Sequence, residues 1–308
     1  MAKYIIKRLG TGLLSLFVLV TVTFFLTRSI PGSPFQSANV SGTVLEMMET
    51  EYGLNEPVWV QYTAYLKNLL HGDLGCSYEN PSESVAEIIG RSFPATARLG
   101  VLAVAAAAVT GIGLGMVQAF SKNRLVKKAV LGTTLAAGGI PNFVAALLLM
   151  LVFGVRLGFV PVAGLISWKH YILPVCALAI YPACFLARLT RNLLEEEKTR
   201  QYVVTARMKG LKMPQIVLRH MLPHIGIPVL NYLGPASAFL LTGSFAVESI
   251  FTIPGLGRQF VSAISNRDYT LIMGLTVFMG ATVILIQLLV DVLCACIDPR
   301  MRRSYVKN

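Results

Sequence analysis

Apolar runs separated by short polar segments make up most of the chain. Six of these runs carry few or no charged side chains, and their lengths lie near the ~20 residues that a helix needs to cross a bilayer. The pattern therefore predicts an all-α integral membrane protein with six transmembrane helices. The predicted helices cover Leu9–Leu26, Leu99–Phe120, Val130–Val155, Tyr171–Ala187, Ile225–Val247 and Leu271–Ile297.

The first run follows Lys3, Lys7 and Arg8, and so it begins like a secretory signal. The apolar part of a signal has about 7–15 residues and ends at a small-residue cleavage site. This run is longer and ends in Thr27-Arg28-Ser29-Ile30-Pro31, which contains no such site. We therefore predict a retained N-terminal transmembrane helix in residues 1–30.

Residues 31–93 are too long for a simple connection, and they predict an extracytoplasmic helical loop. Thr43 can cap a helix that ends at Gly53, and Pro57 fits the start of a second helix that ends at Gly72. One side of the second helix either lies in the lipid headgroup layer, which the pattern favours, or docks an external partner. That side consists of Trp59, Tyr62, Leu66 and Leu69.

Charged residues are few and are sorted by position along the chain. They make up 14% of the chain, against about 25% in soluble domains. Lys and Arg collect at the N-terminus, in the second and fourth loops and in the tail 299–308, whereas residues 31–90 hold eight acidic residues and one basic residue, Lys67. Because cytoplasmic loops retain Lys and Arg, we predict that both termini are cytoplasmic. This sorting, together with attraction to anionic lipid in the bilayer, also accounts for the net charge of +12, so we expect no nucleic-acid partner.

No pattern for chemistry by the chain itself is present. The sequence has no Walker A motif, no H-E-x-x-H and no G-x-S-x-G site with partners at matching depth. His220 and His224 are four residues apart, but Pro223 lies between them and no third ligand is near. We therefore expect no catalytic residue, no metal site and no bound cofactor.

Polar residues within the predicted spans are scarce. Asp291 is the one ionisable residue clearly inside a span, and the pattern favours its pairing with a basic residue over a role in ion coupling. Gly111 and Gly115 form a small-xxx-small pair, which indicates close helix packing. In the fifth span a small and polar face either packs against another helix or lines a wet pathway, and it contains Asn231, Pro235, Ala238 and Thr242.

The polar, basic segment Arg191 to His224 lies between two apolar runs and has no core of its own. It predicts a helix that holds Glu195, Glu196 and Glu197 in its first turns, continues through Gln201 to Met208 and stops at Gly210. A second short helix, Gln215 to Met221, follows Pro214. Its apolar side predicts that the elbow binds in a groove of another protein rather than serving as a solvated loop; that side consists of Ile216, Val217 and Met221.

These residues resemble the membrane subunits of ATP-binding-cassette importers. The family signature is an E-A-A element, a glycine four residues after its last alanine, and a leucine-proline pair twelve and thirteen residues after that glycine. Here Ala206, Gly210, Leu222 and Pro223 match, whereas Val204 and Thr205 replace the glutamate and the first alanine. The resemblance implies that the elbow 195–224 couples to an ATPase subunit, and that the carboxylate contact is missing. The implied coupling residues are Thr205, Ala206, Arg207, Lys209, Gly210, Leu211, Leu222 and Pro223.

The resemblance extends over nearly the whole chain and narrows to the oligopeptide, dipeptide and nickel permease branch. It is strongest to the B-type subunit of oligopeptide importers, on Arg28-Ser29-Ile30-Pro31-Gly32-Ser33-Pro34-Phe35, Gly234-Pro235-Ala236 and Ile253-Pro254-Gly255-Leu256-Gly257. It implies a type I importer permease fold with a core of five helices in residues 94–298, in a bacterial inner membrane. It also implies a second permease subunit, two ATPase subunits that use ATP and Mg, and an extracytoplasmic binding protein. Glutathione importers share most of these motifs.

Overall fold

In the computed structural model, residues 2–29 and 52–297 are described, together with residues 35, 47 and 50, and the described chain folds as helices without a named strand. Most of the predicted helix that begins at Thr43, and the whole tail 299–308, lie outside the described residues. The helices are α1 Ala2–Arg28, α2 Val58–Leu70, α3 Val85–Phe120, α4 Arg124–Gly138, α5 Asn142–Leu149, α6 Ile172–Glu197, α7 Gln201–Met208, α8 Met213–Ile216, α9 Leu222–Leu241, α10 Phe245–Ile250, α11 Leu256–Ser265 and α12 Tyr269–Ile297.

Five of the predicted spans are present as helices long and apolar enough to cross a membrane. The third predicted span, Val130–Val155, is wrong as a single helix. It is divided into α4 and α5 with its π-helical extension Met150–Arg156, and the two arms meet at an angle of 106°. The break falls at Gly139-Ile140-Pro141, because a proline cannot donate to the preceding turn and pushes the residue before it out of the helical region.

The centre of the molecule is the packing of α3 against α6. Gly111 and Gly115 face α6 so closely that an added Cβ would lie 2.8 Å from the Ala183 carbonyl oxygen and 2.7 Å from the Ala187 carbonyl oxygen, respectively. The prediction that these glycines mediate close helix packing is confirmed. Because α3 begins at Val85, it also runs through the predicted domain boundary between residues 93 and 94.

We expect Gly115→Val to destabilise the protein by about 1–3 kcal/mol, the usual cost of overpacking. The added side chain meets Thr190 at 2.6 Å, so α3 and α6 must separate. Gly113→Ala is the matched control, since nothing lies within 4 Å of its Cβ position. Thermal unfolding in detergent measures both, and equal midpoints for the two variants would show that α3 and α6 do not depend on this contact.

Helix α2 packs most of its apolar side on this chain, a use that neither predicted alternative, the headgroup layer or an external partner, included. Tyr62 is buried, its hydroxyl lies 2.7 Å from Thr21 Oγ1, and its ring contacts Phe24. Leu66 and Leu69 join the same cluster against α1 and α12. Trp59 contacts the Phe25 ring edge-on and remains mostly exposed. Most of the apolar side is therefore used to hold α2 on α1.

Two buried carboxylates hold together the ends of the spans that lie opposite the loop 198–213. Glu248 of α10 accepts hydrogen bonds from Thr96 Oγ1 at 2.9 Å and from the Arg258 backbone N–H at 3.0 Å, which ties α10 to α3 and to α11. Asp268 accepts from the Ser77 hydroxyl and from the Leu271 N–H at the start of α12. These bonds satisfy carboxylates whose burial would otherwise be costly.

Candidate functional site

The predicted elbow is formed by α7 and α8, which meet at Gly210. Gly210 has φ +80°, a left-handed conformation that glycine adopts without a side-chain penalty. The Gly210 N–H donates to the Arg207 carbonyl at 2.9 Å, and the Leu211 N–H donates to the Ala206 carbonyl at 3.2 Å. The helix Gln201–Met208 and its stop at Gly210 are therefore confirmed.

Two details of the predicted elbow are wrong. Glu195, Glu196 and Glu197 lie at the end of α6 rather than in the first turns of the elbow helix, because the chain turns at Lys198–Arg200 before α7 begins. The second predicted helix also does not stop at Met221. It continues from α8 through a π-helical turn, Val217–Met221, into α9. The π-helical turn lies directly before Pro223, which cannot donate a hydrogen bond to the turn that precedes it.

The sequence pattern predicted that the apolar side of the second helix binds in a groove of another protein. In the structure this side is not free to do so. Ile216, Val217 and Met221 are buried within this chain. Val203 and Ala206 of α7 lie in the same cluster, together with residues from the ends of α3 and α6 and from α9. The elbow is thus fixed to the ends of the membrane helices by its inner side.

Polar contacts add to this attachment. Lys198 Nζ donates to the Ala119 carbonyl at the end of α3 at 2.6 Å and lies 4.6 Å from the centre of the Phe120 ring. The Tyr202 ring stacks on His224 of α9 at 5.0 Å. Burial and a hydrogen bond to Glu197 raise the pKa of the Tyr202 phenol, which keeps it protonated. A displacement of the elbow must therefore move the end of α3 and the start of α9 with it.

The outer side of the elbow carries exposed apolar and basic side chains. Met208 is 83% exposed and Val204 is 51% exposed, and they are four residues apart on one face of α7. Of the predicted coupling residues, Ala206 is buried, Leu222 is half-buried, and the rest are exposed: Thr205, Arg207, Lys209, Gly210, Leu211 and Pro223. Exposed Met and Val beside Arg and Lys form a surface suited to protein contact.

A cavity of about 560 Å³ lies between the break at Pro141, α6 and α9. Of the three predicted pathway residues, Asn231 lines this cavity, whereas Ala238 is buried and Thr242 is not among the described lining residues. Thr242 donates its hydroxyl hydrogen to the Phe239 carbonyl at 3.0 Å. The small and polar face of α9 therefore serves both packing and the cavity.

Comparison with known families gives a match over most of the chain. The family described as "Binding-protein-dependent transport system inner membrane component" matches residues 111–303, and the corresponding N-terminal family matches residues 1–102. The chain belongs to this family. It is a multi-pass membrane protein, as the predicted spans required.

Curated relatives match this family member from end to end. It is 39% identical to the dipeptide transport system permease protein DppB of Bacillus subtilis over 98% of each chain. It is also 39% identical to the oligopeptide transport system permease protein OppB of Escherichia coli K12, over 98% of this chain and all of that protein. The resemblance stated from the motifs is confirmed.

Solved structures support the fold. Two structures described as inward-facing conformations of the MetNI methionine ABC transporter match with TM-scores of 0.56 and 0.59 at 17% and 19% identity. They cover 69% and 68% of this chain and 97% and 96% of the matched chains. At this identity the likeness shows a shared importer permease fold and nothing about substrate.

Sequence reasoning did not find Lys198, Tyr202 or the cavity residue Asn142. The Lys198 contact with Ala119 joins residues 79 positions apart, so no local pattern reveals it. Asn142 directly follows Pro141, and a polar residue beside a helix-breaking proline in an apolar run was the available signal.

Proposed function

We propose that the chain is the permease subunit of an ATP-driven importer and forms half of a translocation pathway for peptides. The observation that supports this most is the elbow, which is attached to the ends of α3 and α9 on its inner side and exposes Val204 and Met208 on its outer side. When a partner bound to this outer side moves, the elbow can transmit the displacement to the membrane helices.

The partners follow from this role. Two ATPase subunits that bind ATP and Mg contact the elbow, a second permease subunit completes the pathway, and an extracytoplasmic binding protein delivers the peptide. This chain supplies no ATPase site of its own. Both termini lie in the cytoplasm, which follows from the positive-inside distribution of Lys and Arg.

Dipeptides and oligopeptides are favoured over nickel or glutathione as substrates. The relatives that match end to end are named as dipeptide and oligopeptide permeases. The cavity between α6 and α9 also has no charged side chain among its described lining residues, which does not suit a divalent cation. Oligopeptides are the first choice because of the B-type motifs, and dipeptides are the second.

Copurification tests the assembly. We expect the detergent-solubilised chain, purified from the cells that naturally produce it, to bring down two ATP-binding subunits and a second permease in fixed stoichiometry. A chain that purifies as a homo-oligomer free of ATPase, although those components are expressed, would contradict the proposed assembly.

An ion-coupled carrier is the alternative, and Asp291 discriminates between the two. Asp291 Oδ2 lies 3.1 Å from Arg8 Nε, with the Arg8 side chain 42% exposed and the Asp291 side chain 13% exposed. Asp291→Asn keeps the size of the side chain and an oxygen acceptor for Arg8, and the exposed part of Arg8 stays in contact with water. We therefore expect ATP-driven uptake by Asp291→Asn to stay within about twofold of the wild type. A carrier that uses Asp291 for coupling loses uptake entirely in this variant. Uptake of labelled peptide into proteoliposomes measures the difference.

A further inference from the structure

The cavity between the break at Pro141, α6 and α9 has a mostly apolar wall that also carries neutral hydrogen-bonding side chains and aromatic rings. Asn142 and Asn231 supply amides, Tyr181 and Tyr232 supply phenols, and Phe239 is 63% exposed on the rim. None of the described residues that line it carries a charge. A surface of this composition can bind a polar ligand without selecting for its charge.

Two prolines add backbone acceptors to the same walls. Pro182 in α6 and Pro235 in α9 have no N–H group, so neither can donate to the carbonyl four residues earlier. Those carbonyls belong to Leu178 and Asn231, and both residues line the cavity. Each helix therefore offers a carbonyl released from helical hydrogen bonding beside the cavity.

The break between α4 and α5 places irregular backbone at the same wall. Ile140 and Pro141 line the cavity, and the two arms diverge there by 106°. Irregular backbone within a membrane is tolerated where it is buried in protein or lines a wet cavity, not where it faces lipid tails. Lipid is therefore a poor occupant of this space.

Asn231 is oriented for a ligand. Its Oδ1 accepts a weak hydrogen bond from the Cys294 thiol at 3.3 Å, which leaves the two donors on Nδ2 for another partner. The walls thus offer amide N–H donors and carbonyl acceptors together, which is the complement of a peptide main chain with its alternating C=O and N–H groups.

We propose that this cavity binds the main chain of a peptide in transit, with Asn142 and Asn231 as binding residues that recognise the backbone whatever the charge of the side chains. The inference rests on the proposed function, because it requires that peptides pass through the chain. The exposed rings of Tyr181 and Phe239 contact the side chains of the peptide.

The test introduces a charge into the neutral wall. Asn231→Asp keeps the size of the side chain and the acceptor for Cys294. Asn142→Asp lies in the first turn of α5, where a negative charge is compatible with the helix. In reconstituted complex, we compare uptake of two otherwise identical tripeptides, one with a central lysine and one with a central glutamate.

We expect each variant to raise the lysine-to-glutamate uptake ratio at least about tenfold over the wild type, since a fixed charge in a partly dehydrated site attracts one peptide and repels the other. The binding protein is the same throughout, so its own preference cancels in the comparison. Gln287→Glu is the matched control, because it converts an amide of α12 outside this cavity into a carboxylate, and its ratio stays at the wild-type value.

A wild-type complex that transports neither peptide contradicts the proposed function itself. A wild-type complex that transports both, with unchanged ratios in Asn231→Asp and Asn142→Asp, overturns the present inference alone. A ratio that shifts equally in Gln287→Glu also overturns it, because the effect is then a general response to charge.

Discussion

Gly210→Val uncouples ATP hydrolysis from peptide uptake. At φ +80° a β-branched residue strains the backbone by about 1–2 kcal/mol, and about 1.4 kcal/mol corresponds to a tenfold change in the population of the native elbow. No atom lies within 4 Å of the Cβ position, so the effect comes from the backbone and not from a clash. We expect uptake to fall about tenfold in proteoliposomes, while the complex remains assembled and continues to hydrolyse ATP.

Gly210→Asn is the control for this variant. Asparagine tolerates the left-handed conformation far better than valine and also places a side chain in the same open space. It should retain most of the uptake. Equal loss in both variants would mean that the side chain at this position obstructs a contact, and that the left-handed turn is not what matters.

Met208→Glu and Ala206→Glu separate the two sides of α7. Met208 is 83% exposed, so a glutamate there leaves the fold intact and removes an apolar contact from the proposed docking surface. Ala206 is 8% exposed within the cluster that holds the elbow, so a glutamate there buries a charge and unfolds the elbow. We expect Met208→Glu to assemble with at least about tenfold lower uptake, the loss of a well-packed interface anchor. Ala206→Glu should fail to accumulate.

The control for these variants is Gln215→Glu, which adds the same charge on the other arm of the elbow. Its carboxylate can still accept the hydrogen bond from the Lys212 N–H, so uptake should be unchanged. Quantitative immunoblotting gives the accumulated protein, and reconstituted uptake and ATPase rates give the coupling. If Ala206→Glu accumulates normally with intact transport, the assignment of the inner side is wrong.

Much of the architecture was accessible from the sequence, because membrane helices need long apolar runs that no other local constraint produces. The stop at Gly210 and the packing glycines Gly111 and Gly115 were also predictable, since each depends on a local property of glycine. Gly139 and Pro141 signalled the division of the third span. Hydropathy alone does not detect such a break, because the residues on both sides of it are apolar.

The predictions that the structure did not support concern which surface packs against the apolar face of a helix. The patterns on α2 and α8 correctly marked faces that are buried, but a period of apolar residues does not say whether the burial lies in lipid, in another protein or in the same chain. Tyr62 contacts Phe24, and Met221 lies in a cluster with Leu194, through contacts between distant segments of the chain. The elbow could therefore be located from the sequence, whereas its inner and outer sides could not be distinguished.

We propose that this chain moves peptides when ATP-binding subunits act on its elbow. The most direct test is uptake of a labelled oligopeptide by proteoliposomes that contain the assembled complex and the binding protein, with ionophores present to abolish ion gradients. We predict uptake that requires ATP, persists with ionophores and falls about tenfold in Gly210→Val. Uptake that stops when the gradients are abolished, or that proceeds without ATP, would contradict the account.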